Sequence, residues 1–249
     1  MAADPWRVAI KVVDFMSDWE KIGSDADEAD VRFKELRGLM VRTQLEARGI
    51  SDPRVLDAML AVPREAFVPQ DLRPYAYDDT PLQIGYGQTI SQPFTVAFMA
   101  EALQLIGSEN VLEVGTGSGY GAAVLSRLAR VVFTVERISA LGDRARTRLE
   151  QLGYGNVHVC IANGTLGLPD QAPFDAIVVT AGAEELPPDY WRQLADGGRI
   201  VIPLGHTPMS QRMCRFTRRA DDVEVEDLGS FAFVPLIGQH GWSEQDAVE

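Results

Sequence analysis

The chain has 249 residues, of which 46% are hydrophobic and 24% are charged, a composition typical of a folded water-soluble protein. No apolar run is long enough to cross a bilayer, and Lys11 and Asp14 interrupt the apolar stretch near the N-terminus, so neither a membrane span nor a secretory signal is expected. The net charge of −13 argues against broad binding to nucleic-acid phosphates. The two cysteines and three histidines show no ligand spacing, which predicts no metal site and favours a reduced, cytoplasmic setting.

The first thirty residues are predicted to be an extension outside the main domain. Trp6 to Ile22 could form an amphipathic helix, and Ser24 to Asp30 is predicted to be an acidic linker. Whether the extension packs on the domain or is mobile stays open. Apolar residues at helical spacing then predict helices from Phe33 to Arg48 and from Arg54 to Val62.

Residues 63–92 are rich in loop signals, with repeated Pro, Gly and Asp. Thirty residues of loop exceed what a compact domain usually contains, and such loops often carry functional residues. Pro93 is predicted to open a helix that runs to Ile106. Asp78 and Asp79, within the loops, are interpreted as loop structure.

A glycine-rich turn follows the first predicted strand of the core. Val111–Val114 are mostly apolar and predict a buried strand. Glycines follow at 115, 117, 119 and 121, and residues 122–128 favour a helix. A strand, a glycine turn and a helix form the first half of a nucleotide-binding βαβ unit. A tight turn with no ligand is the alternative interpretation.

Two acidic residues indicate which nucleotide would bind. Tyr120 occupies the position where a dinucleotide fingerprint requires its third glycine, and Glu113 lies inside the strand, where it would repel a pyrophosphate. A buried acid suits a cation, such as the amino group or sulfonium of S-adenosylmethionine. Glu136 ends the next strand, where an acid can hold ribose hydroxyls. The pattern therefore favours S-adenosylmethionine over a nicotinamide dinucleotide.

The remaining elements alternate between helices and strands. Helices are predicted over residues 138–152 and 186–196, and strands over 131–135, 157–161, 174–180 and 199–204, with an antiparallel pair at 212–218 and 223–234. This order predicts an α/β fold, a doubly wound Rossmann-like parallel sheet with an antiparallel C-terminal edge. We expect a domain over 31–242, with N-terminal helices and substrate loops (31–92), a cofactor-binding core (93–210), C-terminal strands (211–242) and an acidic tail (243–249).

Several segments closely resemble the protein-L-isoaspartate O-methyltransferase family. They are Met40–Ile50, Val62–Pro69, Gly87–Pro93, Val111–Tyr120, Asp196–Arg199 and Phe233–Leu236. The resemblance covers residues 36–242 in the family's order. It implies transfer of a methyl group from S-adenosylmethionine to the α-carboxylate of an isoaspartyl residue, after which the ester closes to a succinimide that hydrolyses partly to aspartate. A carboxylate is already ionised at neutral pH, so no general base is needed.

The resemblance also implies roles for individual residues. Ser91 matches the active-site serine and would position the substrate carboxylate, although Ser91 could also cap the helix that Pro93 opens. Val234 and Leu236 match a strand that pairs with the substrate backbone. The expected cofactor-binding residues are Gln88, Thr89, Ile90, Glu113, Gly115, Thr116, Gly117, Ser118, Glu136, Arg137, Asn163, Gly164 and Thr180.

One position departs from the family pattern. Asn163 stands where the family has an aspartate that accepts a hydrogen bond from adenine, so we expect cofactor binding to survive in weakened form. The partner is expected to be a protein or peptide with an isoaspartyl or aspartyl residue, and the chain a monomer. Two alternatives stay open: an aspartate O-methyltransferase that installs an aspartimide in a ribosomally made peptide, and a cofactor-binding module without catalysis.

Overall fold

The computed structural model describes residues 26–207, 210–220 and 222–245. The predicted helix over Trp6 to Ile22 and the last four residues of the predicted tail lie outside this part of the chain. No helix in the described ranges combines the length and the apolar character that crossing a membrane requires.

A seven-stranded sheet forms the centre of the fold, in the order β5-β4-β3-β6-β7-β8-β9. The first five strands of this order run parallel, and β8 and β9 are antiparallel, as predicted. A separate two-stranded hairpin is formed by β1 and β2. The strand bounds are β1 Leu82–Gly85, β2 Gln88–Ile90, β3 Asn110–Val114, β4 Val131–Glu136, β5 Val157–Ile161, β6 Phe174–Val179, β7 Leu194–Thr207, β8 Ser210–Arg219 and β9 Asp222–Phe231.

Helices cover both faces of the sheet, which explains why its central strands β3 and β6 are apolar on both sides. In β3, Val111 packs into a large core with the N-terminal helices, whereas Leu112 and Val114 pack into a second core with α6. This alternation follows from the two-residue period of a strand. The helices are α1 Ala26–Met40, α2 Pro53–Ala61, α3 Pro93–Ala102, α4 Tyr120–Leu125, α5 Ser139–Gln151 and α6 Pro188–Gln193.

The N-terminal helix differs from its prediction at both ends. It begins at Ala26, so the predicted linker contributes its first turns and the predicted domain boundary at residue 30 falls inside α1. Ala and Glu favour helix even in a polar segment, which explains the early start. After Met40 the backbone continues as a π-helical turn over Val41–Leu45 and a short 3₁₀ turn over Glu46–Arg48.

Two other predicted helices are shorter than expected. Helix α3 ends at Ala102 instead of Ile106, because Gln104 and Gly107 have φ angles of 51° and 108° that a right-handed helix does not allow. Helix α6 ends at Gln193, and the segment that was predicted to complete it, up to residue 196, instead begins β7. Its first residue, Leu194, pairs with β6.

The loop-rich segment before α3 contains the hairpin that sequence reasoning missed. Leu82 and Ile84 are buried while Gln83 and Gly85 are exposed, the alternation of a strand with one covered face. Gly85, Tyr86 and Gly87 all have positive φ and turn the chain into β2. The hairpin places residues 88–91 over the carboxyl end of the central sheet.

Candidate active site

A cleft lies at the carboxyl end of β3, where the chain order of the sheet reverses. From β3 the chain proceeds to β4 and β5 on one side, and it then crosses back to β6 on the other side of β3. Ligands of open α/β sheets bind at such switch points. The cleft contains about 850 Å³ of space, part of it open to solvent.

Two sets of residues line the cleft. The strand-end wall is formed by the last residues of β3 and β4 and by the segments that follow β3, β4, β5 and β6: residues 113–118, 120–121, 135–138, Gly164 and 180–181. The loop wall is formed by residues 88–91 of the hairpin, Val96 of α3 and residues 234–237. Fifteen of the sixteen residues predicted for the site lie in these two walls; the exception is Asn163.

Glu113 is the most deeply buried charged group of the strand-end wall, with 1% of its surface exposed. Its Oε2 accepts a hydrogen bond of 2.6 Å from the hydroxyl of Thr134, which in turn lies 2.7 Å from the hydroxyl of Thr116. Burial, opposed by the hydrogen bond from Thr134 and assisted by the nearby Glu136, raises the pKa of Glu113 to about 8. A buried carboxylate with no cationic partner among the described residues suits a positively charged ligand group.

Glu136 ends β4 beside the same cleft, and its carboxylate is held by the backbone. One oxygen accepts from the N–H of Gly117 at 2.9 Å and the other from the N–H of Ile138 at 2.9 Å. Each carboxylate oxygen has a further acceptor site, so both remain able to bind hydroxyl donors. This arrangement fits an acid that holds the two hydroxyls of a ribose.

Two glycines of the turn leave room for these groups. A Cβ atom on Gly115, whose φ is +99°, would lie 2.3 Å from the hydroxyl oxygen of Thr180. That hydroxyl is a hydrogen-bond donor to the carbonyl oxygens of Val114, at 3.0 Å, and Gly115, at 2.9 Å. A Cβ atom on Gly121 would lie 2.3 Å from Oε1 of Glu113. The glycine spacing is therefore required by the packing of the strand-end wall.

Ser91 lies half-buried in the loop wall, one residue after Ile90. The alternative role of Ser91 as a helix cap is not observed: Gln92 occupies the N-cap position of α3 and no side-chain cap is present. Within the described residues, no hydrogen bond involves the Ser91 hydroxyl, so it is available to a ligand. Nearby, Asp79 pairs with Arg48 at 3.0 Å and accepts from Gln92 at 2.7 Å, a structural role in the loop.

The segment with Val234 and Leu236 follows β9, which ends at Phe231 instead of continuing to Val234 as predicted. The carbonyl of Val234 accepts from the N–H of Gly182 at 2.8 Å, and the N–H of Leu236 donates to the carbonyl of Gly182 at 2.7 Å. Leu236 also accepts from Trp242 at 2.7 Å. These three backbone groups are occupied within the chain, so pairing with a substrate backbone would have to use other groups of the segment.

Asn163 caps a 3₁₀ turn next to the cleft. Its Oδ1 accepts from the backbone N–H of Thr165 at 3.1 Å and from the Thr165 hydroxyl at 2.9 Å, and Gly238 packs closely against it. The expected contact with adenine would thus use an oxygen that already has two donors. Arg137 lines the cleft but is exposed, and it pairs with Glu244 at 3.2 Å.

Some lining residues were missed by sequence reasoning. Tyr120 and Gly121 belonged to the glycine motif but were interpreted only as spacing, and Pro235 lay between two predicted positions. The others are apolar side chains that carry no signal beyond general hydrophobicity. They are Val96, Val114, Val135, Ile138, Ala181 and Ile237.

Comparison with known proteins identifies the family of this chain. The model of the family described as protein-L-isoaspartate (D-aspartate) O-methyltransferase matches residues 37–241. A protein-L-isoaspartate O-methyltransferase of Rhodopseudomonas palustris (strain HaA2) is 55% identical over 85% of this chain and 86% of its own length. One from Pelobacter propionicus is 56% identical over 83% of this chain and 92% of its own.

Solved structures give the same result. A structure named protein-L-isoaspartate O-methyltransferase superposes with a TM-score of 0.72 and 29% identity, over 84% of this chain and 66% of that one. A second structure is that of a Plasmodium falciparum protein named as this enzyme, in complex with S-adenosyl-L-homocysteine. It has a TM-score of 0.68 and 26% identity, over 82% of this chain and 98% of that one. The chain belongs to the protein-L-isoaspartate (D-aspartate) O-methyltransferase family.

Proposed function

We propose that this protein transfers the methyl group of S-adenosylmethionine to the α-carboxylate of isoaspartyl residues in damaged proteins, with Ser91 as the residue that positions the carboxylate. Family membership identifies the reaction. The observation that supports the site is the cleft at the β3 switch point, which is lined by both Ser91 and the buried Glu113.

The residues of the strand-end wall fit S-adenosylmethionine. Glu113 would attract the cationic amino acid portion of the cofactor, and Glu136 would hold its ribose. The closely packed glycines allow the backbone to approach the ligand. When bound, the cofactor supplies a methyl group made electrophilic by its attachment to a sulfonium.

The work left to the protein is alignment and exclusion of water. The substrate carboxylate is already ionised at neutral pH, so the Ser91 hydroxyl has no proton to remove and instead donates a hydrogen bond that orients the carboxylate. Ile90, which is buried, and Val234 shield this junction from solvent.

A pair of short peptides tests the proposal. One contains an isoaspartyl residue, and the other has normal aspartate at the same position. The two have the same atoms and charge, but the backbone of the isoaspartyl form runs through the side-chain methylene and places the carboxylate closer to the main chain. Misplacement by about 1 Å costs on the order of a hundredfold in rate, so we expect methylation of the isoaspartyl peptide to be faster by at least that factor.

Two outcomes would contradict the proposal. Equal rates for both peptides would mean that the site does not distinguish the isoaspartyl backbone. Methylation of neither peptide, with S-adenosylmethionine still bound, would indicate a dedicated peptide substrate. The expectations that the protein acts in the cytoplasm, as a monomer and without nucleic acid, remain predictions.

A further inference from the structure

Arg64 is a fully buried arginine directly behind the loop wall, with 0% of its surface exposed. Its Nε donates to the carbonyl of Ala76 at 2.7 Å, and its Nη2 donates to the carbonyl of Ser91 at 2.8 Å. The ring of Tyr120, which lines the cleft, lies over the guanidinium at 4.9 Å. Arg64 thus touches the backbone of the residue that is proposed to hold the substrate.

The charge of Arg64 has no anionic partner among the described residues. Its neighbour Glu65 is engaged with Arg37 at 3.1 Å and with the hydroxyl of Tyr77. The Nη1 atom of Arg64 is buried without a hydrogen-bond partner in the described structure. Burial lowers the pKa of Arg64, but a guanidinium stays protonated at any physiological pH.

Burying an unpaired cation is costly, so an unpaired cation that persists in a folded protein calls for a compensating anion. The substrate supplies one, because the proposed acceptor is a carboxylate next to Ser91. The guanidinium would then lie within roughly 6–9 Å of that carboxylate, given the span of one serine residue. In the low-dielectric interior the attraction over such a distance is substantial.

We propose that Arg64 is a positioning residue: it fixes the backbone of Ser91 and presents a permanent positive charge to the carboxylate of the bound substrate. This inference rests on the proposed function, since it needs an anionic substrate at Ser91. It makes Arg64 a determinant of specificity for a charged acceptor over a neutral one of the same shape.

The test compares binding of two peptides to the protein saturated with S-adenosyl-L-homocysteine, so that no turnover occurs. One peptide carries the isoaspartyl α-carboxylate, and in the other this group is converted to a neutral carboxamide. In the Arg64→Gln variant we expect affinity for the acid to fall about tenfold and affinity for the amide to change less than about twofold. Arg64→Lys, which retains the charge, should retain most of the preference for the acid.

Arg37→Gln is the matched control, because Arg37 is also buried but is paired with Glu65 and does not contact Ser91. Its preference for the acid should equal that of the natural protein. Arg64→Met, of similar volume, supplies the same comparison should the Gln variant not fold. Binding of S-adenosyl-L-homocysteine verifies that each variant is folded.

If Arg64→Gln lowers affinity for the acid and for the amide by the same factor, the inference is overturned and Arg64 has a structural role only. A loss of preference in Arg64→Lys as large as in Arg64→Gln would also overturn it, because charge would then not be the cause. By contrast, if the natural protein binds neither peptide, the proposed function itself is contradicted.

Discussion

The two walls of the cleft are built in different ways. The residues of the strand-end wall end or follow strands of the parallel sheet, and neighbouring groups of the sheet and its turns hold their side chains, as the N–H groups of Gly117 and Ile138 hold Glu136. The loop wall depends on contacts between distant parts of the chain, such as Arg64 with Ser91 and Gly182 with Val234. We therefore expect cofactor binding to depend mainly on the sheet, with Gln88–Ile90 as the contribution of the loop wall, and substrate binding to depend on how the loops pack.

The largest effect is expected from a substitution in the strand-end wall. In Gly115→Ala the new Cβ would lie 2.3 Å from the Thr180 hydroxyl, at a φ of +99°. Relief of this overlap must move the turn or Thr180, so we expect affinity for S-adenosyl-L-homocysteine to fall on the order of a hundredfold. Calorimetric titration measures the change.

Gly153→Ala provides a matched control for backbone strain. Gly153 has a φ of +80°, but a Cβ atom there would meet nothing within 4 Å. The substitution should cost about 1–2 kcal/mol of stability through the left-handed conformation and leave cofactor affinity unchanged. Equal losses of affinity in both variants would show that strain, and not the packing of the cleft, determines binding.

The same contrast explains what the sequence could reveal. Glu113, Gly115 and Glu136 lie at strand ends beside the cleft, as local sequence patterns indicated, while their roles in binding stay predictions. The hairpin at residues 82–90 was missed, because its three consecutive positive-φ residues read as loop and its strands are short. Arg64 lies in a segment that resembles the family, Val62–Pro69, but nothing in the sequence indicated that its side chain is buried, since an arginine is normally exposed.

A second prediction concerns the proton on Glu113. Because burial raises its pKa to about 8, the carboxyl group is mostly protonated at pH 7 when the cleft is empty. A cationic ligand favours the ionised form, so binding should release a proton at pH 7. We expect affinity for S-adenosyl-L-homocysteine to rise by more than about tenfold between pH 6 and pH 8, because release of one proton changes affinity by nearly tenfold for each pH unit below the pKa. Calorimetry in buffers of different ionisation enthalpy counts the released protons, and Glu113→Gln should abolish the release.

The empty protein should show the opposite trend in stability. A carboxyl group whose pKa is higher in the folded state binds its proton more tightly there, so its contribution to stability is present below pH 4.5 and is lost as the pH rises towards 8. We expect Glu113→Gln to raise the free energy of unfolding in urea, compared with the natural protein, by more at pH 8 than at pH 5. A difference that does not vary with pH would contradict the raised pKa.

The smallest expected effect is that of Asn163→Asp. The sequence alone suggested that an aspartate would tighten cofactor binding through a charged acceptor. In the structure, however, Oδ1 of Asn163 already accepts two hydrogen bonds from Thr165, and the side chain does not line the cleft. We therefore expect cofactor affinity to change less than about twofold, about 0.4 kcal/mol. A larger gain by calorimetry would show that residue 163 faces adenine.

The most direct test of the separation between the walls is to measure one variant, Ser91→Ala, with two assays. The hydroxyl makes no contact that holds the strand-end wall, so affinity for S-adenosyl-L-homocysteine should stay within about twofold of the natural protein. Methylation of an isoaspartyl peptide should fall by about tenfold or more in kcat/KM, because the carboxylate loses the donor that orients it. A full methylation rate, or a parallel loss of cofactor affinity, would contradict the account.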